Sequence, residues 1–125
     1  MLVNMYRIVI IVFSLFLLGV VSCKKEGKGG KSIIKGSISH HGVSVPGLPV
    51  YIKYGAVDFP GSDISNYDDE TSVNSQGEYR FEELRKGDYF LFSKGFDNQY
   101  SEFVSGGVSV NIRKNEEKNV VIPVN

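Results

Sequence analysis

Apolar and polar side chains alternate in short runs from residue 33 to the end of the chain, which is the pattern of half-buried β-strands. The most regular stretch, Thr71–Phe96, predicts three strands joined by two turns. The first turn, at 74–77, ends in Gly77, a residue type that adopts positive φ without strain. The second turn, at 83–87, is expected to direct Leu84 inward. No helical period of useful length follows residue 23, so the pattern predicts an all-β domain.

Four further alternating runs flank this stretch. They begin near Ile33, Val50, Val108 and Val120 and are separated by irregular segments at 40–49, 56–70 and 97–107. About seven short strands with turn signals every ~8–12 residues predict a single antiparallel, seven-stranded β-sandwich. The predicted core consists of the inward-facing residues Ile34, Ile38, Val50, Ile52, Val73, Tyr79, Phe81, Leu84, Tyr89, Leu91, Val110, Ile112, Val120 and Ile122.

The beginning of the chain has the pattern of a lipoprotein signal peptide. Arg7 precedes an apolar run at 8–18 that is too short to span a bilayer comfortably. The following Val20-Val21-Ser22-Cys23 resembles the bacterial lipobox. The resemblance implies cleavage before Cys23, diacylation of its thiol and acylation of the new amino terminus with a chain such as palmitate, and two or more acyl chains suffice for stable anchoring. There are two alternatives: an ordinary secreted protein with a free thiol, or a protein held by a simple anchor helix. Both Met1 and Met5 are candidate start residues.

Three segments follow from this interpretation. Residues 1–22 form the signal peptide, 23–32 the lipidated cysteine with a flexible Lys/Gly tether, and 33–125 the β-sandwich. A chain of 125 residues has room for one small domain after its leader. The single cysteine excludes an internal disulfide, and 14 basic against 14 acidic residues argue against nucleic acid as a partner.

Several segments resemble the carboxypeptidase regulatory-like domain. The resemblance rests on IKGSI at 34–38, VPGLPVYI at 45–52, QGEYRF at 76–81 and LRKGDYFL at 84–91. It covers roughly residues 33–124 and implies a prealbumin-like (transthyretin-like) sandwich, used as an accessory or interaction module. Short lipid-anchored versions of this kind imply a source in the Bacteroidetes.

The loop at 56–70 is rich in carboxylates and has no basic residue. Calcium takes clustered carboxylate and carbonyl oxygens, so the weak metal candidates are Asp58, Asp63, Asp68, Asp69 and Glu70. The spacing lacks the regularity of an EF-hand, so we predict no metal site and no cofactor. A different role follows if successive strands alternate in direction, because the loop and the turns at 82–87 and 113–118 then lie at the same end of the sandwich. The carboxylates of the loop would face the cations of those turns, namely Arg85, Lys86, Arg113 and Lys114. A plain solvated loop is the third interpretation.

Neither histidines nor carboxylates form a recognisable catalytic pattern. His40 and His41 are adjacent, so an extended backbone would point them to opposite sides, and no third histidine or free cysteine is present to complete a zinc site. A polar loop is therefore the expected environment. The sequence has no Gly-x-Ser-x-Gly elbow, and we expect no enzyme. A weaker resemblance to the Cna B-type domains implies a cross-link between Lys35 and Asn119, although the expected glutamate segment is absent.

Five aromatic residues lie in irregular segments and are candidates for binding: Phe59, Tyr67, Phe96, Tyr100 and Phe103. Exposed rings stack on sugars or anchor protein partners, whereas the alternative is that they cap the ends of the sandwich. If successive strands alternate in direction, Phe59 and Tyr67 lie at the end of the sandwich opposite to the other three residues. Two or more coplanar exposed rings would favour a sugar ligand.

The sequence therefore predicts a non-enzymatic, lipid-anchored cell-envelope protein that presents a β-sandwich for interaction or structure. Its partners are the membrane, through the anchor, and a protein of the envelope. A glycan-binding or adhesion module is the alternative function. The outer membrane is favoured over the inner, and the periplasmic and surface faces both remain open.

Overall fold

The computed structural model describes residues 25–125, so Cys23 and the whole predicted signal peptide lie outside the described residues. The described part is an all-β fold. Its strands are β1 (Lys28–Gly36), β2 (Ile38–His40), β3 (Val43–Ser44), β4 (Pro49–Tyr54), β5 (Asp69–Ser72), β6 (Tyr79–Leu84), β7 (Gly87–Asp97), β8 (Glu102–Ile112), β9 (Glu117–Asn119) and β10 (Ile122–Pro123). One 3-10 turn, Ile64–Asn66, lies between β4 and β5. Within this range no helix is long and apolar enough to cross a bilayer.

The strands form two layers, as in a β-sandwich. One layer is the antiparallel sheet β5-β4-β7-β8. The other layer contains the sheets β6-β1-β9 and β3-β2-β10. These two sheets are continuous, because the C-terminal segment 120–124 donates successive backbone hydrogen bonds to the carbonyl oxygens of Lys35, Ser37 and Ser39. Reciprocal bonds of 3.1 Å between Ser105 and Asn125 attach the chain end to β8.

The structure corrects two details of the predicted topology. Ten strands are present in residues 25–125 instead of seven, because a break at Ser37 divides the first strand and both the 40–49 loop and the C-terminal segment contribute short strands. The sheets are also not purely antiparallel, since β9 and β10 run parallel to β1 and β2. Alternation reveals a strand but carries no information on its direction.

The predicted core is confirmed, with Val120 only partly buried at its edge. Inward-facing side chains from both layers form this one cluster. Four further members were not predicted: Val45, Leu48 and Val104, which lie in segments predicted as irregular, and Val124, which continues the alternation of Val120 and Ile122. Burial of apolar surface between the layers is the main stabilising term of such a fold.

The stretch Thr71–Phe96 does contain the predicted strands and turns. Gly77 has φ of 81°, and the side chain of Asn74 accepts hydrogen bonds of 3.0 Å from the backbone N–H groups of Gln76 and Glu78. The two strands that this turn joins belong to different sheets, since β5 pairs with β4 and β6 pairs with β1. The turn therefore crosses from one layer to the other.

The predicted tether ends earlier than expected, because β1 begins at Lys28 instead of Ile33. Ser32 is buried and donates a hydrogen bond of 2.6 Å to the carbonyl of Arg113. Gly30 lies so close to Leu84 that a Cβ would overlap its carbonyl oxygen. A Gly- and Lys-rich sequence is thus held in a strand by backbone contacts that composition does not reveal.

Candidate functional site

The outer face of the sheet β5-β4-β7-β8 carries an aromatic cluster. Because side chains alternate along a strand, Phe90 and Phe92 of β7 point away from the core that Tyr89 and Leu91 enter. Together with Tyr51 they form a second cluster that is separate from the main core. A phenylalanine on the outer face of a sheet is exposed to solvent unless another segment packs over it. Phe92 is only 2% exposed, so another segment must cover it.

The cover is the loop between β4 and β5. Tyr67 stacks on Phe92 with centroids 5.5 Å apart and planes 17° apart, while the ring of Phe59 lies 5.3 Å from Phe92. Lys94 donates a hydrogen bond of 2.8 Å to the carbonyl of Ser62, which fixes the loop over β7. The hydroxyl of Tyr67 donates to the carbonyl of Gly61 at 2.9 Å, and burial raises the pKa of Tyr67 to about 12.

Beyond this loop the same face is open. Phe96 and Phe103 are directly opposite on β7 and β8, with centroids 5.0 Å apart and planes at 72°. Their exposed fractions are 42% and 83%. A shallow groove lies between Tyr51 and Phe103, with Lys94 and Ser105 in its lining. We call the surface formed by Phe96, Phe103 and this groove the open aromatic face.

These positions correct the expected placement of the loop aromatics. Phe59 and Tyr67 lie on the same face as Phe96 and Phe103, not at the opposite end of the sandwich. They also cover a sheet face instead of capping an end. The alternating direction of successive strands predicts the end of the sandwich at which a loop begins, but not the path that a long loop takes across a sheet. Tyr100 is elsewhere, in the β7–β8 turn against the two histidine rings.

The acidic loop does not gather its carboxylates into one site. Asp63 caps the 3-10 turn, and hydrogen bonds from Ser65 lower the pKa of Asp63. Asp68 accepts a hydrogen bond of 2.7 Å from the N–H of Tyr54 and lies 3.5 Å from the ammonium of Lys53. Asp58 and Glu70 are exposed, and Asp69 is half-buried at the start of β5.

The predicted ion pairs between this loop and the two turns are wrong. Among residues 25–125, the salt bridge made by the loop is that of Asp68 with Lys53, on the neighbouring strand β4. Three of the four turn cations, Arg85, Lys86 and Lys114, instead line a cleft beside the start of β1, together with Lys31. Arg85 also donates a hydrogen bond of 3.2 Å to the carbonyl of Lys25. We call this surface the basic cleft.

The environment of His40 also differs from the expected polar loop. His40 ends β2 and is only 3% exposed, because its ring enters the space between the two layers. Its Nδ1 lies 2.7 Å from Oδ2 of Asp97, the last residue of β7. An isolated histidine gives no sequence signal for such a partner 57 positions away.

Lys35 and Asn119 are register partners on the adjacent parallel strands β1 and β9. The ammonium of Lys35 lies 3.0 Å from the carboxylate of Glu117, and that interaction is the main cause of a lowered pKa for Glu117. Both charged groups are roughly half exposed. The arrangement is a solvent-screened ion pair, which stabilises a fold little.

The similarity of this chain to known proteins is a similarity of fold alone. No protein-family model matches the chain, and no curated protein matches it. Among solved structures the chain is similar to a candidate carbohydrate binding protein from Pseudomonas aeruginosa, with a TM-score of 0.52 and 11% identity over 78% of this chain and 90% of that one. It is also similar to a DUF3823 family protein from Parabacteroides merdae, with a TM-score of 0.50 and 15% identity over 78% of this chain and 47% of that one.

Proposed function

We propose that the chain is a non-enzymatic, lipid-anchored module of the bacterial cell envelope, of the carboxypeptidase regulatory-like kind, that binds a protein partner through its open aromatic face. The observation that carries the proposal is the exposure of two large rings side by side. Phe103 is 83% and Phe96 42% exposed on a sheet face that a loop covers elsewhere. Contiguous exposed aromatic surface is typical of interaction sites.

The ring geometry supports a protein partner. Phe96 and Phe103 meet edge to face at 72°, so they offer a ridge instead of the flat platform that stacks on a sugar. Protein interfaces are enriched in aromatic anchors that insert into pockets, with a polar rim around them. Lys94 and Ser105 supply polar groups beside the ridge.

Glycan binding is the second candidate, and two observations favour it. The groove is lined by the aromatic rings of Tyr51 and Phe103 and by the polar side chains of Lys94 and Ser105. A structure of similar fold is described as that of a candidate carbohydrate binding protein. Sites for small ligands combine apolar walls with a few placed polar groups, which this groove has in shallow form.

The basic cleft supports the membrane part of the proposal. Its four cations lie beside the start of β1, the end of the domain that follows the predicted lipidated Cys23. Anionic headgroups attract clustered lysine and arginine near a bilayer. Anchoring through Cys23 would hold this end of the domain against such headgroups.

The binding proposal is tested with a photoreactive residue at position 103 in living cells, followed by identification of the cross-linked species by mass. The matched control carries the same residue at Val121, which is 51% exposed on the other layer. A protein cross-linked from 103 and absent from 121 supports the proposal. Equal labelling from both positions contradicts it.

The glycan alternative is tested by titrating purified envelope polysaccharides into the protein and its Phe103→Ala variant, with Val121→Ala as the control. Saturable binding that is lost only in Phe103→Ala would establish the second candidate in place of the first.

The anchor is tested by fractionating cells that make the protein or its Cys23→Ser variant. We expect the protein in the membrane fraction with an acylated amino terminus by mass spectrometry, and the variant to be unacylated. Protease treatment of intact cells then distinguishes the periplasmic from the surface face. An unmodified Cys23 in the mature protein would contradict the lipoprotein assignment.

A further inference from the structure

We propose that His40, His41 and Glu102 form a binding site for a divalent transition-metal ion of the zinc type, with Asp97 orienting His40. The three side chains come from the end of β2, the residue after it and the start of β8. One ligand atom of each lies within 4.8 Å of the other two, and within residues 25–125 this is the one such cluster of three. The site is separate from the open aromatic face and from the acidic loop.

Two adjacent histidines converge because the backbone turns back between them. His41 has φ of 51°, the left-handed conformation, which ordinary side chains adopt at a cost. The turn brings the two rings to a centroid distance of 4.2 Å. Extended backbone would have placed them on opposite sides, so the strained residue is what assembles the pair.

The distances suit a metal ion. Nε2 of His40 lies 3.1 Å and Nε2 of His41 lies 3.7 Å from the same carboxylate oxygen, Oε1 of Glu102. Ligands bound to zinc at ~2.0–2.1 Å in a tetrahedron are separated by about 3.3 Å from each other. The two observed separations bracket that value, so small rotations of the exposed side chains would complete the site.

Asp97 has the position of an outer partner in a carboxylate–histidine–metal arrangement. Its Oδ2 lies 2.7 Å from Nδ1 of His40, and both side chains are almost completely buried. A proton on Nδ1 donated to this carboxylate leaves the Nε2 lone pair free for a metal. The other oxygen of Asp97 accepts a hydrogen bond of 2.9 Å from the N–H of Gln99, which fixes the carboxylate.

The donor set selects the class of ion. Two imidazole nitrogens and one carboxylate oxygen suit zinc and neighbouring transition metals, and not calcium or magnesium, which prefer all-oxygen sites. His41 is 59% and Glu102 51% exposed, so an ion can enter from solvent and a fourth position faces water or a ligand. Tyr100 lies 4.7 Å from the ring of His41 and shields one side.

The test measures zinc binding to the full-length protein by competition with a chromophoric chelator, in detergent and without a polyhistidine tag. Every protein carries Cys23→Ser so that the thiol contributes no ligand. His41→Ala and Glu102→Gln remove the two exposed ligands, and the matched control Glu78→Gln removes an exposed carboxylate elsewhere. Circular dichroism verifies that each variant is folded.

We expect one zinc ion per chain, a loss of affinity of about tenfold or more in His41→Ala and Glu102→Gln, and no change in Glu78→Gln. Asp97→Asn should keep the stoichiometry and weaken binding by ~10–100-fold, as loss of an outer partner does. Cobalt in place of zinc should give the visible absorption of a tetrahedral N/O site in the parent protein and not in His41→Ala. Absence of saturable binding, or equal affinity in parent and both ligand variants, would overturn the proposal.

Discussion

The hydroxyl of Tyr79 donates a hydrogen bond of 2.6 Å to the carbonyl oxygen of Val120, across 41 positions of sequence. Tyr79 belongs to β6, at one edge of its layer, and Val120 lies between β9 and β10 at the other side of β1. The ring of Tyr79 is almost fully buried, and burial raises the pKa of its hydroxyl. The bond therefore fastens the C-terminal segment to the layer from within the core.

Tyr79→Phe should lower the free energy of unfolding by about 0.5–1.5 kcal/mol, because it removes this partly buried hydrogen bond. Denaturant unfolding followed by circular dichroism measures the change. The matched control is Tyr100→Phe, whose ring is exposed and whose loss of a hydroxyl should change stability by less than about 0.5 kcal/mol. Equal effects of the two substitutions would show that the bond to Val120 contributes nothing.

The covered and the open parts of the outer sheet face should respond differently to truncation. Phe92 is 2% exposed beneath the loop, so Phe92→Ala should cost about 3–5 kcal/mol of stability. Phe103 is 83% exposed, so Phe103→Ala should change stability by less than about 0.5 kcal/mol. Thermal or denaturant unfolding distinguishes them. A large loss of stability in Phe103→Ala would indicate a structural role for that ring and weaken the binding proposal.

Tyr67 should ionise late in an alkaline titration, since burial of this loop residue against the sheet raises its pKa to about 12 from the ordinary value of 10.0. The linked contribution to stability is complete below pH 10 and decreases as the pH rises through about 12, because ionisation is easier in the unfolded chain. Ring-carbon NMR of labelled tyrosine measures the midpoint. Tyr67→Phe should remove that resonance, and a midpoint near 10 in the parent would contradict the burial of the hydroxyl.

The two-layer core was predictable because its residues alternate along strands. Ile34, Ile52 and Leu91 show this directly, and the interior that they enter is mostly apolar. Tyr51 and Phe92 obey the same alternation but face the other side, where a second apolar layer exists only because a loop covers it. Periodicity identifies the two faces of a strand, but not what a distant loop places on one of them.

The candidate sites were less predictable than the core. The binding candidates Phe96 and Phe103 were identified by residue type, whereas their side-by-side position depends on the register of β7 against β8. The histidine cluster depends on a positive φ at His41 and on Asp97 and Glu102, which flank the β7–β8 turn more than 50 positions away in sequence. Neither a left-handed residue other than glycine nor a long-range pairing leaves a reliable mark in a single sequence.

The start of β1 offers a further test, since it decides how much of the N-terminal segment is free. Gly30→Ala should lower stability by about 1–3 kcal/mol, because the added methyl group overlaps the Leu84 carbonyl oxygen. Lys31→Ala, one residue later on an exposed side chain, should change it by less than about 0.5 kcal/mol.

Hydrogen exchange provides the independent measurement for that region. Amides of β1 before Ile33 should be protected if they pair as in the structure, and should exchange freely if the tether extends to residue 32 as its composition predicts. Protection would leave only residues preceding Lys28 to separate the folded domain from Cys23. The basic cleft would then lie close to whatever surface holds that cysteine, which is the arrangement that the anchoring proposal requires.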